Sequence, residues 1–210
     1  MCRLFRGTIP YILALTVAGL VFIMGGIAVA HAQPGDPSPA GIGPGNWTYF
    51  FPVQPPAVAH YPLGHHDYPA ADIFAPRDSL FVAATSGRIQ ELSREDAWNP
   101  KADDPALRGG RFVSLIGDDG VRYYGSHLNV VVAGLTPGQH VDAGQILGYV
   151  GTSGNARGGQ THLHFGLSHP TFAGDWAVRR GELAPYVYLQ ARQRGGNLTP
   201  ALPERTAGQK

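Results

Sequence analysis

The sequence contains a single cysteine, Cys2, which precedes the hydrophobic run near the N-terminus. One cysteine excludes a disulfide within the chain and a thiolate metal cluster. Its position before the hydrophobic run does not fit a lipoprotein cysteine, which follows such a run. Any metal site must therefore use imidazole and carboxylate ligands, and histidine is plentiful, at positions 31, 60, 65, 66, 127, 140, 162, 164 and 169.

Lysine is almost as scarce, with only Lys101 and Lys210 in the chain. Of the 16 basic residues, Arg3 and Arg6 lie in the N-terminal segment, which leaves 14 against 15 acidic residues in the rest. This balance gives no support to nucleic-acid binding, which requires a basic face. A lipoyl- or biotinyl-type carrier is also excluded, because neither lysine lies at the tip of a hairpin.

Charged residues make up 15% of the 210 residues and hydrophobic ones 43%, as in a folded globular protein. The 29 glycines and 18 prolines favour short strands and turns over long helices. We therefore expect a mainly β, antiparallel, sandwich-like single domain.

The N-terminal segment predicts export. After Arg3 and Arg6, an uncharged apolar run extends from Ile9 to Ala30 and ends in Ala30-His31-Ala32, a small-x-small pattern that signal peptidase accepts. The run is also nearly long enough to cross a bilayer. Residues 1–32 are thus either a signal peptide cleaved after Ala32 or an uncleaved membrane anchor. Both alternatives give an exported protein that is periplasmic, wall-associated or secreted.

Four segments follow from these patterns. After residues 1–32, a Pro/Gly-rich stretch at 33–46 is typical of a linker. A domain at 47–194, with its core at 65–167, carries the strand patterns, and residues 195–210 are predicted to be a disordered tail. Strands are expected at 80–84, 87–92, 111–116, 121–124, 130–133, 145–150 and 161–167, a long loop at 93–110, and a short helix at 185–194.

The sharpest local pattern is Thr161-His162-Leu163-His164-Phe165. In a strand, residues two apart project from the same face, so His162 and His164 share one face and the apolar neighbours the other. Two imidazoles on one face can both bind one metal, or one can bind while the other acts on substrate. Two solvent-facing histidines would produce the same pattern.

Two further segments carry candidate site residues. His65-His66-Asp67-Tyr68-Pro69-Ala70-Ala71-Asp72 places a histidine and a carboxylate close together, which suits a cation such as zinc. His127 follows a strand and a glycine. Taken alone, Asp72 could equally cap a turn and His127 could be an exposed loop residue.

Together these segments resemble the lysostaphin/LytM-type zinc metalloendopeptidases, also known by their duplicated hybrid motif. The resemblance covers residues 65–167 in the family's order. Its H…D motif is similar to His66 and Asp72, although the usual three-residue spacer is lengthened to five. Further similar stretches lie at 78–89, 124–128 and 138–148, and the closing H-L-H-F motif is present unchanged at 162–165.

The resemblance implies a lysostaphin-type peptidase fold with an open groove and one Zn²⁺ per chain, bound by His66, Asp72 and His164. Three protein ligands are typical of a catalytic zinc site, which keeps a fourth position open. His127 and His162 would be the catalytic pair, one accepting a proton from water and the other stabilising the oxyanion. The sequence leaves open which does which.

Choosing His66 over His65 keeps the spacing to Asp72 closer to the family pattern, and it predicts that His65 faces outward. The implied substrate is the peptide part of peptidoglycan, either a stem cross-link or an interpeptide bridge. We expect groove loops at 93–110 and 150–160 to set its specificity, and contact with the membrane only through an uncleaved N-terminal segment. A non-catalytic wall-binding or hydrolase-activating module of the same fold is the alternative, but all five site residues are retained here.

Overall fold

The computed structural model describes residues 45–179 and 181–205. The predicted signal peptide or anchor, and the linker as far as residue 44, lie outside the described residues. Within the described ranges, no helix is long and apolar enough to cross a membrane.

Ten strands and two short α-helices form the domain. The strands are β1 (Val53–Gln54), β2 (Ala70–Phe74), β3 (Leu80–Val82), β4 (Gly87–Ser93), β5 (Phe112–Gly117), β6 (Arg122–Ser126), β7 (Leu128–Val131), β8 (His140–Val141), β9 (Ile146–Val150) and β10 (His162–Ser168). The helices are α1 (Trp176–Arg179) and α2 (Tyr186–Gln193). Single 3-10 turns occupy Pro56–Val58, Pro105–Leu107 and Gly154–Ala156. The predicted mainly β fold and antiparallel pairing are confirmed.

The strands form two antiparallel sheets. The smaller has the order β1-β3-β9-β7, and the larger β2-β10-β6-β5-β4-β8. Side chains from both sheets meet in one apolar core, among them Phe81 and Leu147 from the smaller sheet and Ile73, Leu163 and Phe165 from the larger. Because alternate residues of β10 enter this core, the residues between them face the other way.

The central place of β10 in the larger sheet positions the site. On one side it pairs with β2, in the register His164 to Asp72 and His162 to Phe74. On the other side it pairs with β6, with His164 opposite Ser126. Residues far apart in sequence are thus brought to the same end of three adjacent strands.

Two elements differ from the sequence-based expectation. Residues 70–74 form a strand, although the preceding proline and the mixed polar pattern gave no strand signal. Residues 195–205, placed in a disordered tail, lie against the domain. The backbone N–H of Tyr49 donates to Asn197 Oδ1 at 2.8 Å, and the backbone N–H of Ala201 donates to the Tyr188 hydroxyl at 3.1 Å.

Candidate metal centre and catalytic groove

Asp72 and His164 are directly opposite each other in the β2–β10 pair, so their side chains share one face of the sheet. The Nδ1 atom of His164 lies 2.9 Å from Asp72 Oδ1. His164 is 6% exposed, whereas Leu163 and Phe165 on either side are fully buried in the core. The predicted alternation in the H-x-H segment is therefore present, with both histidines on the face away from the core.

His65 reaches the same carboxylate from the loop before β2. Its Nε2 atom lies 3.8 Å from Asp72 Oδ2, and its side chain is only 6% exposed. The ring is held between Tyr68, with centroids 4.2 Å apart, and His164, at 5.3 Å in an edge-on arrangement. Donor atoms of His65, Asp72 and His164 all lie within 4.8 Å of one another.

The sequence-based choice of His66 does not fit this geometry. The His66 side chain is 75% exposed, and its Nε2 atom lies 3.1 Å from Asp67 rather than at Asp72. The reason is that packing of His65 against Tyr68 turns the first histidine inward, and its neighbour then faces solvent. His65 replaces His66 in the candidate ligand set.

The electrostatics of this cluster favour an ionised carboxylate. Burial alone would raise the pKa of Asp72, but the hydrogen bond and charge of His164, together with His162 and His65, hold it at about 2. Burial lowers the pKa of His65, which outweighs the opposing effect of Asp72. A carboxylate beside two imidazoles, one of them with a lowered pKa, is a donor set that suits zinc.

His127 stands at the single residue between β6 of the larger sheet and β7 of the smaller. Its φ is 64°, in the left-handed region that non-glycine residues rarely adopt. Such backbone strain costs on the order of 1–3 kcal/mol and is concentrated at functional sites. The turn carries the imidazole to within 4.9 Å of the His162 ring and 6.0 Å of the His164 ring, measured between centroids.

His127 and His162 are both oriented by backbone carbonyls. His127 Nδ1 lies 2.8 Å from the Ser153 carbonyl oxygen, and His162 Nδ1 lies 2.8 Å from that of Gln160. A carbonyl can only accept a hydrogen bond, so Nδ1 carries a proton in each ring and Nε2 is the nitrogen left for a substrate or water. In His162 that Nε2 atom lies 3.9 Å from Asp72 Oδ1.

Burial keeps His127 neutral. Loss of solvent, reinforced by the neighbouring His164 and His162, lowers the pKa of His127 to about 3. A neutral ring with a free Nε2 lone pair can accept a proton at ordinary pH.

These side chains line a groove of about 270 Å³. Arg108 and Asn155 lie in the two loops that the sequence predicted to shape the groove. Three further lining residues were not singled out from the sequence, because nothing in their local pattern distinguishes them: Tyr68, Ser126 and Trp176. Ser126 is notable because its hydroxyl is buried and finds no hydrogen-bond partner within the described residues.

The two loops predicted to shape the groove interlock behind His127. Asp96 Oδ1 accepts from the backbone N–H of Gly154 at 2.9 Å, and its Oδ2 binds Arg157 at 2.8 Å. The backbone N–H of His127 donates to the Gly109 carbonyl at 3.0 Å. Because Gly154 follows the Ser153 carbonyl that holds His127, this linkage fixes the imidazole.

Residues 66–177, more than half of the chain, match the model of Peptidase family M23. The chain belongs to peptidase family M23. The match begins one residue after His65, so the candidate ligand set extends just beyond it. The arrangement of the five side chains is consistent with membership of this peptidase family.

Among its relatives is an L-Ala–D-Glu endopeptidase of Bacillus subtilis (strain 168), 31% identical over 136 residues. The alignment covers 62% of this M23 chain but only 37% of the relative, so this chain matches little more than a third of the relative's length.

The catalytic domain of the antimicrobial peptidase lysostaphin from Staphylococcus simulans is 24% identical, with 64% of this chain and 95% of that one covered and a TM-score of 0.48. A structure of lysostaphin from the same organism is 26% identical, with 68% of this chain and 54% of that one covered, and also has a TM-score of 0.48. With both scores below 0.5, the membership rests on the family match.

Proposed function

We propose that this chain is an exported zinc-dependent endopeptidase that hydrolyses peptide bonds of peptidoglycan. The observation that carries the proposal is the convergence of His65, Asp72 and His164 beside two further histidines in one groove. A zinc-binding triad alone could be structural. Two imidazoles next to it, each with Nε2 free, supply the acid–base groups that hydrolysis needs.

The residues present fit a single zinc ion. Ligands about 2.0–2.1 Å from a tetrahedral zinc ion lie about 3.3 Å from one another. The separations of 2.9 Å from His164 to Asp72 and 3.8 Å from His65 to Asp72 bracket that value. When bound there by His65, Asp72 and His164, zinc would supply Lewis-acid polarisation of the peptide carbonyl and of water.

The chain's other residues would manage the protons. One of His127 and His162 accepts a proton at Nε2 from the attacking water and then returns it to the leaving amine. The other, after taking a proton from solvent at Nε2, donates a hydrogen bond to the oxyanion of the tetrahedral intermediate and returns that proton to solvent when the intermediate collapses. The carbonyls of Ser153 and Gln160 would keep each ring oriented through its Nδ1–H group.

The substrate proposal rests on the curated relative, whose name places its activity on an L-Ala–D-Glu bond. Such a bond between L- and D-residues belongs to peptidoglycan rather than to ordinary proteins. Export fits this substrate, because the wall lies outside the cytoplasm.

The decisive experiment combines metal analysis with digestion. The purified full-length chain should contain about one zinc per molecule. It should release peptides from peptidoglycan, lose that activity in EDTA and regain it with added zinc. Metal-free protein that still releases peptides would overturn the mechanism, and zinc-loaded protein that releases none would favour a non-catalytic wall-binding module.

The ligand set has its own matched pair of variants. His65→Ala should lower zinc affinity by at least about 100-fold, since a buried ligand is removed. His66→Ala, which differs by one position and removes an exposed ring, should change zinc affinity by less than about twofold. The reverse result would restore the His66 assignment.

Export is tested by fractionation. Recovery outside the cytoplasm of a chain beginning at Gln33 would show cleavage after Ala32, and a membrane-bound chain with an intact N-terminus would show an anchor. Confinement to the cytoplasm would contradict the proposed localisation.

A further inference from the structure

The groove is lined by only one side chain, within the described residues, that carries a permanent positive charge. This is Arg108, at the end of the 3-10 turn Pro105–Leu107. Histidines bind a metal in their neutral form and carry a charge only while they hold a transferred proton, so Arg108 is the groove side chain that offers a fixed charge to a substrate. Nothing in the proposed hydrolysis uses it.

Arg108 is held in place by a clamp. Its Nε donates to Asp103 Oδ1 at 2.9 Å and its Nη2 to Asp103 Oδ2 at 2.6 Å. Asp103 also accepts from Trp98 Nε1 at 3.3 Å and adopts a left-handed φ of 44°. A strained aspartate that grips one edge of a guanidinium fixes its plane and leaves Nη1 without a hydrogen-bond partner among the described residues.

The backbone around Arg108 ties it to the site. The carbonyl of Arg108 accepts from the backbone N–H of Asn155 at 2.9 Å, and the next carbonyl, of Gly109, accepts from the backbone N–H of His127 at 3.0 Å. The Arg108 charge also interacts with Tyr68, whose ring stacks on His65. The backbone at Arg108 is therefore linked to the segment that carries His127, and its side chain lines the same groove as His65.

The side chain remains open to an incoming ligand, since 38% of it is exposed. Two other acidic groups line the groove. Asp72 belongs to the proposed ligand set, and Asp67 is exposed beside His66. Neither forms a salt bridge with Arg108, so the edge of the guanidinium that Asp103 does not hold is available to a carboxylate bound in the groove.

We propose that Arg108 is a specificity residue that binds a free carboxylate of the substrate peptide near the scissile bond. The inference rests on the proposed function and narrows it. Arg108 would favour an acidic stem-type peptide over an uncharged interpeptide bridge. A planar guanidinium held by one edge suits the two oxygens of a carboxylate, whereas a carboxamide offers one acceptor and no charge.

The test uses two synthetic peptides that contain L-Ala–D-Glu and differ only in whether the free glutamyl carboxyl is an acid or a carboxamide. Zinc-loaded wild type should prefer the acid by about 10- to 100-fold in kcat/KM, as expected for loss of one charged hydrogen-bonding partner. Arg108→Gln should bring the two peptides within about twofold by slowing only the acid. Arg88→Gln, which removes an exposed arginine from β4, should keep the wild-type preference.

The same peptides test binding without cleavage. On zinc-loaded His162→Ala, calorimetry should show tighter binding of the acid, and the difference should disappear in the double variant with Arg108→Gln. Equal rates or equal affinities for acid and amide in the Arg108-containing proteins would overturn the inference. If neither peptide is cut but the acid still binds preferentially, the proposed cleavage of this bond fails while the role of Arg108 stands.

Discussion

Two carboxylates in this molecule, one buried and one partly buried, have opposite surroundings. Asp119, 7% exposed, accepts from the hydroxyls of Tyr49 at 2.9 Å and Tyr123 at 2.6 Å and from the backbone N–H of Val121 at 3.1 Å. Asp72 is surrounded by imidazoles and faces the groove. Each carboxylate needs polar partners where it is withdrawn from water. Only the partners of Asp72 are imidazoles, whose ring nitrogens can also bind a metal.

The cluster around Asp119 is closed. Burial, with smaller effects from neighbours that include Asp119, raises the pKa of Tyr49 to about 12, so this phenol stays protonated and donates permanently. Arg192 lies over the Tyr49 ring at 4.6 Å and makes no hydrogen bond within the described residues. Hydroxyl groups donate to Asp119 and an aromatic ring lies against Arg192, and neither arrangement can bind a metal. We therefore expect Asp119 to stabilise the fold and Asp72 to serve catalysis.

The largest effect that separates them is expected at Asp72. Asp72→Ala removes the carboxylate that bridges the proposed ligands, so bound zinc and hydrolysis should both fall below detection. The metal-free protein should also lose some stability, because His164 loses the carboxylate that holds its Nδ1 atom. Zinc content, rate and calorimetry on the same preparation provide the check, and an active zinc-free variant would contradict the assignment.

His127→Ala and His162→Ala come next. Each should keep about one zinc per chain and lose roughly 10²–10⁴-fold in rate, the usual scale for acid–base groups. His164→Ala, two residues from His162 on the same face, is the matched control and should lose the metal as well. Release of zinc from His162→Ala but not from His164→Ala would reverse the roles within the H-x-H segment.

Asp119→Ala should act on the fold instead. Two buried hydroxyls and the backbone N–H of Val121 lose their acceptor, so the free energy of unfolding should fall by about 3 kcal/mol. Chains that remain folded should still bind zinc. Denaturant titration measures the loss. An Asp119→Ala variant that is as stable as wild type but inactive would contradict the assignment of Asp119 to stability rather than to catalysis.

The smallest expected effect is at Tyr49. Tyr49→Phe removes one of three donors to Asp119 and keeps the ring beneath Arg192, so the free energy of unfolding should fall by about 1 kcal/mol with the rate unchanged. Urea unfolding of the Tyr49 and Asp119 variants under the same conditions compares their free energies of unfolding directly. A loss equal to that of Asp119→Ala would mean that the hydroxyl alone satisfies the carboxylate.

The sequence predicted those parts of the site that depend on local periodicity. His162 and His164 share a face because strand residues alternate, and that needs no tertiary information. His65 could not be chosen over His66 in the same way, because packing on Tyr68 decides which ring turns inward. The spacing to Asp72 pointed to the nearer histidine, but the loop between them is not extended chain.

Other features depend on contacts between distant segments. The role of Asp96 in fixing His127 crosses 58 residues to Gly154, and no local signal marks it. Residues 195–210 were predicted to be a disordered tail, yet Asn197 and Ala201, in the described part of that segment, bond to the domain. Such contacts appear only once the chain is folded.

The left-handed backbone at His127 has a consequence for protein engineering. Glycine adopts this conformation at no steric cost, so His127→Gly would relieve the turn at the crossing between the sheets while it removes the imidazole. Loss of the buried ring and of its bond to the Ser153 carbonyl would act against that relief, so the relief of backbone strain does not carry over directly into stability. The substitution would still yield a protein that binds wall peptide without cutting it.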